Sequence, residues 1–387
     1  MRRLRVAILA GEASGDHLGG ALMHAIAARR AVEWMGVGGE DMMAAGLDPI
    51  FPLDEISVMG IDAIVRRLPQ LLSRIREAAE RVVAFAPDVV VIIDAPEFNH
   101  RVAKRVRKAL PGVPIVNYVS PTIWAWRPGR AKAMRPYVDL VLALFPFEPE
   151  AHARLGGPRC VYVGHPLYEA TAATVPPGET LLVLPGSRRG EIDRLMPVFG
   201  AAIGRLAPAL PVELLAVPWQ RKRIEAHLAD WPVQPAIVSG PGAKAQAFAK
   251  ARAALAASGT VTLELAAARV PMVVAYKLDF AYRQVKRLHW LLPIVKAPSM
   301  VLANIAIGRN DIPAFLEEDA NPEALAAALA PLLKPESEAR ALQMRAFDDF
   351  AAEMAVATSP AEQAADAVLS VLPPSAAEDS GSGATGA

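Results

Sequence analysis

Asp94 ends an apolar run, Val89-Val90-Val91-Ile92-Ile93. Four residues on, a stretch of 41 residues from Phe98 to Val138 begins that carries nine Lys or Arg and no Asp or Glu. The chain as a whole is balanced, with 41 basic and 40 acidic residues, so this positive charge is local. A lone carboxylate at a strand end beside a basic surface points to a base acting on an anionic substrate. Local positive potential attracts phosphate or anionic lipid without making the protein basic overall. The competing reading is a solvated basic face. If Glu97 to Leu110 is a helix, Arg101, Lys104, Arg105 and Lys108 recur at i, i+3, i+4, i+7 as one stripe, with Val102 and Val106 on another face.

Three small-residue turns could meet a ligand. Gly11-Glu12-Ala13-Ser14-Gly15-Asp16 follows the first apolar run, where glycine permits a tight turn and close backbone approach. Its spacing is not that of a dinucleotide fingerprint, and packing alone also explains it. Leu184-Pro185-Gly186-Ser187-Arg188-Arg189-Gly190-Glu191 joins a Gly-Ser turn to a helix start with two arginines. That pairing suits a leaving nucleoside diphosphate, whose charge grows as its bond breaks. Ala257-Ser258-Gly259-Thr260 leads to Glu264 one helical turn later. There small residues admit a phosphate or ribose, and Glu264 could accept from two ribose hydroxyls. An acid near a helix N-terminus is also common for its own sake. In Tyr118-Val119-Ser120-Pro121-Thr122-Ile123-Trp124-Ala125-Trp126-Arg127, two tryptophans sit beside cations. That composition suits a sugar face, an acyl chain or a headgroup.

The elements that must carry these turns follow from the apolar pattern. A chain of 387 residues is too long for one ordinary core, so two domains are expected. Short apolar runs at Val6–Ala10, Val89–Asp94, Ile115–Val119, Leu140–Phe145 and Cys160–Val163 alternate with helical segments. So do Leu181–Leu184, Val212–Val217, Ala253–Ala257 and Met272–Ala275. Such runs indicate parallel sheets covered on both faces. Leu68, Leu71, Leu72, Ile75, Ala79, Val82 and Val83 follow helical spacing, and Pro87 closes that helix. His165 to Gly178 reads as a linker, and the Gly/Ser-rich end after Pro373 as disordered. The domains expected are 1–165, 166–345 and a tail 373–387, with helices in 346–372 returning to complete the first domain. A cleft between the carboxyl ends of two sheets is the expected ligand site. No apolar run approaches the ~18 residues of a spanning helix. The apolar start at Met1 is too short for a signal peptide and is read as the first strand. The single Cys160 excludes an internal disulfide and fits a reducing cytosol. No His-rich spacing or Asp-x-Asp pair suggests a metal, and the even charge balance gives no reason to expect nucleic acid.

The ordered set GEASGD (Gly11–Asp16), GVGG (Gly36–Gly39), VMG (Val58–Gly60), DAPEFN (Asp94–Asn99), YVSPTIWAWR (Tyr118–Arg127), FPFE (Phe145–Glu148), VGHPL (Val163–Leu167), LPGSR with Glu191, SGT…LE (Ser258–Glu264) and PMVVAY (Pro271–Tyr276) resembles the lipid-A-disaccharide synthase family. It covers about nine tenths of the chain. The resemblance implies an α/β fold of GT-B type, with two Rossmann-like domains whose parallel sheets face a central cleft. It implies an inverting, metal-independent glycosyltransferase with no cofactor. UDP-2,3-diacylglucosamine and 2,3-diacylglucosamine 1-phosphate (lipid X) would give the β-1,6 disaccharide 1-phosphate and UDP. Asp94 and Arg188 take the catalytic positions. Gly186, Ser187, Ser258, Gly259, Thr260, Glu264 and Asn304 go to the donor side. The acceptor and membrane side receives Gly11, Glu12, Ser14, Asp16, Asn99, Ser120, Trp124, Trp126 and Arg127, together with the stripe Arg101, Lys104, Arg105 and Lys108. The implied setting is cytoplasmic and peripheral to the anionic inner membrane of a Gram-negative bacterium, as a homodimer with exchanged C-terminal segments. Where the family usually has Leu-Pro-Asn, this chain has Leu302-Ala303-Asn304, so the turn loses proline's fixed φ. A UDP-sugar 2-epimerase-like enzyme and a non-catalytic nucleotide- or lipid-binding protein are the alternatives.

Overall fold

The computed structural model describes residues 2–56, 61–125, 127–168, 178–207, 209–240, 242–277 and 299–373. Trp126, Val58–Gly60, most of the expected linker (169–177) and the expected tail from 374 onward lie outside the described residues.

The chain forms two compact units. One is Met1–Pro166 together with the chain from Val356 onward, and the other is Leu167–Ala355. The first holds a six-stranded sheet of β1 (Leu4–Ala10), β2 (Val32–Val37), β3 (Val89–Ile93), β4 (Ile115–Tyr118), β5 (Leu140–Ala143) and β6 (Arg159–Tyr162), in the order β2-β1-β3-β4-β5-β6. All pairs are parallel, with Ala10 beside Ile93 and Ile93 beside Tyr118. Every residue of β3 is fully buried, which is why its sequence shows no alternation. The crossover helices include α1 (Ala13–Ala27), the short α2 (Glu40–Ala44), α3 (Ile61–Phe85), α4 (Pro96–Ala109), α5 (Gly129–Met134) and α6 (Glu148–Arg154). Ile75, Ala79 and Val82 of α3 meet Phe98, Val102 and Val106 of α4 over Val90 and Ile92. The expected apolar stripe of α3 enters this core only in part, because Leu68 and Leu72 stay exposed.

The second unit repeats the plan. Its strands are β7 (Thr180–Leu184), β8 (Val212–Leu215), β9 (Ala236–Val238), β10 (Ala251–Ala257), β11 (Met272–Tyr276) and β12 (Ala314–Leu316), in the order β12-β11-β10-β7-β8-β9 and all parallel. Helices α7 (Arg189–Leu206), α8 (Arg221–Leu228), α9 (Ala243–Lys250), α10 (Val261–Ala267), α11 (Leu302–Ala306), α12 (Pro322–Leu332) and α13 (Glu338–Glu353) surround it. Phe199, Leu255, Val273, Leu325 and Leu329 share its core.

The return to the first unit starts at Val356, later than the 346 expected from sequence. Gln343 of α13 is the reason on the near side: its side chain accepts from the Met272 amide (2.8 Å) and donates to the Met272 carbonyl (3.0 Å), which ties α13 to β11. Among the described residues α14 (Pro360–Leu369) is the helix that returns, and Asp366 pairs with Arg29 just beyond α1 at 3.0 Å.

Candidate active site

Asp94 follows β3 at the carboxyl edge of the first sheet. Its φ is +50° and that of Ala95 is +42°, so two consecutive non-glycine residues adopt the left-handed region. Each such conformation costs of order 1–3 kcal/mol and persists only where its surroundings fix it. The fixing groups are visible. The Asp94 amide donates to the Tyr118 carbonyl (3.1 Å). The fully buried Asn99 side-chain amide donates to the carbonyls of Ile93 (2.9 Å), Asp94 (2.9 Å) and Leu9 (3.3 Å). Gly11 closes the other side, since a Cβ there would lie 2.1 Å from that of Ala95. Burial raises the Asp94 carboxyl above its ordinary value, and a hydrogen bond from the Ala95 amide opposes this. Burial is the larger of the two influences.

The rest of the first turn divides. Glu12 and Ser14 are exposed at the start of α1. Asp16 is buried and accepts from the amides of Gly39 (2.6 Å), Asp41 (3.0 Å) and Met42 (3.1 Å). A carboxylate there satisfies the open N–H groups of α2 and anchors the Gly36–Gly39 turn.

One strand over, Val119 at φ +74° turns the chain into the loop after β4. Ser120 Oγ lies 3.0 Å from His152 Nε2, and both residues are buried. Trp124 is half-buried, and its Nε1–H donates to Glu148 Oε1 (3.3 Å). Glu148 Oε2 accepts from the Leu144 (3.2 Å) and Phe145 (3.1 Å) amides. The Trp124 ring meets Phe147 edge-on at 5.3 Å, and Phe147 stacks on Phe145 at 5.6 Å. Burial pushes Glu148 up to about 7 and His152 down to about 4. Sequence gives Glu148 no role of its own; its signal there is an acid three residues after the buried run that ends at Phe145.

Helix α4 carries the basic stripe as its spacing predicts. Arg101, Lys104, Arg105 and Lys108 are exposed, and Val102, Ala103 and Val106 are buried. Lys104 Nζ sits 5.1 Å from the centre of the Tyr137 ring. At the head of the helix, Glu97 gathers Arg130 (2.9 Å), Arg101 (4.0 Å) and Arg127 (4.0 Å).

In the second unit, Gly186 turns at φ +99° after β7. A Cβ there would lie 2.7 Å from Glu191 Oε2 and 3.5 Å from the Cβ of Ala257, the last residue of β10. Arg188 precedes α7. Its amide donates to Glu191 Oε2 (3.3 Å) and its Nη1 to Oε1 (2.9 Å), while the guanidinium remains 75% exposed. Arg189 points toward Asp193 at 3.9 Å. Ser187, Gly259 and Thr260 are exposed at the two turns. The Ser258 hydroxyl donates to the Met300 carbonyl (3.1 Å). Glu264 receives Lys244 Nζ at 2.8 Å. Asn304 is buried: its amide donates to the Ile312 carbonyl (2.8 Å) and Ser299 Oγ (3.3 Å), and its Oδ1 accepts from the Ile312 amide (3.1 Å). These bonds make Asn304 a staple for the loop behind Ser258. Ala303 is the second residue of α11, where the backbone N–H has no intrahelical partner. The missing proline therefore loses little, and Asn304 supplies the rigidity.

These turns have counterparts in known proteins. The family model for lipid-A-disaccharide synthetase matches residues 6–368. The lipid-A-disaccharide synthase of Rhodopseudomonas palustris is 50% identical over 384 residues, which is 95% of this chain and 96% of that protein. That of Nitrobacter hamburgensis is 49% identical over 385 residues, with the same shares. Among solved structures, the calicheamicin glycosyltransferase CalG4 superposes with a TM-score of 0.58 at 18% identity, covering 97% of this chain and 100% of that one. A putative UDP-N-acetylglucosamine 2-epimerase from Listeria monocytogenes gives 0.60 at 14% identity, covering 98% of each. At these identities the structures show the shared two-domain GT-B fold and leave the chemistry open. The family match over nearly the whole length is decisive, and the chain belongs to the lipid-A-disaccharide synthetase family of glycosyltransferases.

Proposed function

We propose that the chain condenses UDP-2,3-diacylglucosamine with 2,3-diacylglucosamine 1-phosphate to form the β-1,6-linked disaccharide 1-phosphate and UDP. The observation that carries the assignment of the base is the Asp94 turn: a half-buried carboxyl with a raised pKa, in a left-handed conformation held by Asn99, Gly11 and Tyr118. Asp94 takes the proton from the acceptor 6-hydroxyl as that oxygen attacks the anomeric carbon. The configuration inverts because a single displacement passes through no covalent intermediate. The UDP oxygen gains charge as it leaves, and Arg188, together with the amides opening α7, meets that charge. Metal is not needed if those groups carry the diphosphate, so EDTA should leave turnover unchanged. Loss of turnover restored by Mg²⁺ would overturn that point.

The proposed setting is the cytoplasmic face of an inner membrane, where the acceptor is held. Among the described residues no helix is long and apolar enough to cross a membrane. The exposed stripe of α4 is the proposed contact with anionic lipid. We also propose a homodimer with exchanged C-terminal segments. The packing of α14 beside α1 is the kind of contact such an exchange would make between chains. Mass spectrometry of the product from defined donor and acceptor tests the reaction. UDP release from donor alone, with a changed sugar and no disaccharide, would favour an epimerase instead.

A further inference from the structure

We propose that Glu148 is a positioning residue for the acceptor, acting through Trp124. The carboxylate sits where three segments converge. Trp124 of the loop after β4 donates its indole N–H to one oxygen, and the Leu144 and Phe145 amides of the turn after β5 donate to the other. An ionised carboxylate is acceptor-only and can satisfy all these donors at once. Ser120 and His152 brace the same loop from its start, with Ser120 Oγ 3.0 Å from His152 Nε2. Phe147 meets the indole edge-on and itself stacks on Phe145. A buried acid is an expensive way to fill such a space. An apolar side chain would pack there without the desolvation that holds Glu148 up to about 7. What the acid contributes is a single orientation of the indole at the sheet edge that also carries Asp94, one strand away. Of the titratable groups around it, Cys160 on β6 has its thiol raised by burial and by Glu148, while His152, on the same helix as Glu148, is lowered by burial and pairs with Ser120, whose side chain also hydrogen-bonds Glu148. His165 lies beyond Phe145, 5.7 Å from its ring.

This rests on the reading of the loop after β4 as acceptor-facing, and the experiment separates the two. In the full-length chain, Glu148→Gln puts an amide N–H group against donors and should raise the acceptor KM about tenfold, with kcat and the donor KM within about twofold of wild type. Trp124→Phe keeps the contact with Phe147, removes only the N–H, and should raise the acceptor KM similarly. The double variant should be no worse than the poorer single one, because both remove one interaction. The acceptor's own phosphate titrates in every variant, so the difference between the wild-type and Glu148→Gln pH profiles reports Glu148. That difference should appear around pH 7 as a rising acceptor KM on the acid side. A second readout needs no activity: with 5-fluorotryptophan, the Trp124 ¹⁹F resonance should shift with pH near 7 in wild type and stay flat in Glu148→Gln. An unchanged acceptor KM in folded Glu148→Gln, with kcat lowered in proportion to lost folded protein, would make Glu148 a purely structural acid. Additive single effects, or a Trp124 resonance blind to Glu148, would overturn the proposal as well. If Glu148→Gln does not fold, Trp124→Phe and Ser120→Ala decide it by the same acceptor KM. A wild-type chain that makes no disaccharide would refute the functional reading, and the ¹⁹F titration would then decide on Glu148 alone.

Discussion

Asp94→Asn separates catalysis from folding unusually well at this position. Asparagine is nearly isosteric and is among the few residues that tolerate the left-handed region, so the φ of +50° remains accessible. The bonds that fix the turn use the Asp94 backbone, its amide to Tyr118 and its carbonyl from Asn99, and both survive. The carboxyl's raised pKa also gives a sign. A group whose folded pKa lies above its unfolded value contributes stability at low pH and loses it as pH rises through the folded pKa, so at neutral pH the ionised Asp94 is a small burden. Removing it should leave the melting temperature unchanged or slightly higher. Activity should behave in the opposite way. Loss of a general base lowers turnover roughly 10²–10⁴-fold, or about 3–5 kcal/mol in the barrier. Asp94→Ala is the control: alanine in this region costs about 1–2 kcal/mol, so it should melt earlier while being no less active than Asn. The assay is UDP release from donor plus acceptor, beside a thermal melt. Near-normal turnover in folded Asp94→Asn would remove Asp94 from the mechanism, and a clear drop in melting temperature would mean that the carboxyl serves the fold.

Four further outcomes follow from the same geometry. Arg188→Ala should lower kcat/KM for the donor by about 10–100-fold and Arg189→Ala by much less, since Arg189 faces Asp193; the reverse ranking would mean that the register of this turn is misread. Reversing Arg101, Lys104, Arg105 and Lys108 should abolish co-sedimentation with anionic vesicles at low salt, at about 1 kcal/mol per charge, while UDP binding persists; unchanged sedimentation would sink the membrane role. Gly11→Ala should cost roughly 1–3 kcal/mol or more in stability, because its Cβ meets that of Ala95; a wild-type melting temperature would show that the turn yields freely. Burial, with Arg130 and Lys104, lowers His100 to about 4, so its contribution is present above pH 6.5 and is lost as pH falls toward 4. His100→Gln should therefore shrink the drop in melting temperature between pH 7 and pH 5, and an identical drop would assign acid sensitivity elsewhere.

Much of this architecture is legible in the chain because fully buried parallel strands are continuous apolar runs. Nine strands stand where such runs occur. Those that escape are β2, β9 and β12, all edge strands whose half-exposed residues, as in Val32-Glu33-Trp34, dilute the pattern. The turns were legible as turns, but the direction in which a polar side chain points was not. Asp16 and Asn304 look like ligand groups in sequence, and the structure shows that each also fastens a turn, Asp16 through three backbone amides and Asn304 through the Ile312 backbone and the Ser299 hydroxyl. Glu148 shows the converse. It reads as an ordinary helix-start acid, and only the convergence of amides and an indole from separate segments reveals why it is buried.

The two sheet edges hold their polar groups in different ways, and this bears on where the transition state is stabilised. At the first edge, Asp94, Ser120 and Glu148 are bound by buried or half-buried bonds that cannot rearrange cheaply, which suits a base and loop that must keep one geometry. At the second edge, Arg188 is paired with Glu191 while three-quarters exposed, and Glu264 with a Lys244 that is more than half exposed. In each pair the cation lies in solvent while its carboxylate is largely buried, so the cation can turn toward a diphosphate or a ribose without first leaving a buried site. The Arg188 amide and the capping carboxylate of Glu191 meanwhile keep the turn itself in place, so the guanidinium can move without the helix start moving. A cation free to follow the leaving group gains most as negative charge develops on it, which is when the reaction needs it. On this argument Glu191→Gln should weaken the turn and the helix start more than it impairs release of UDP. It would lower the melting temperature while leaving the donor KM close to wild type.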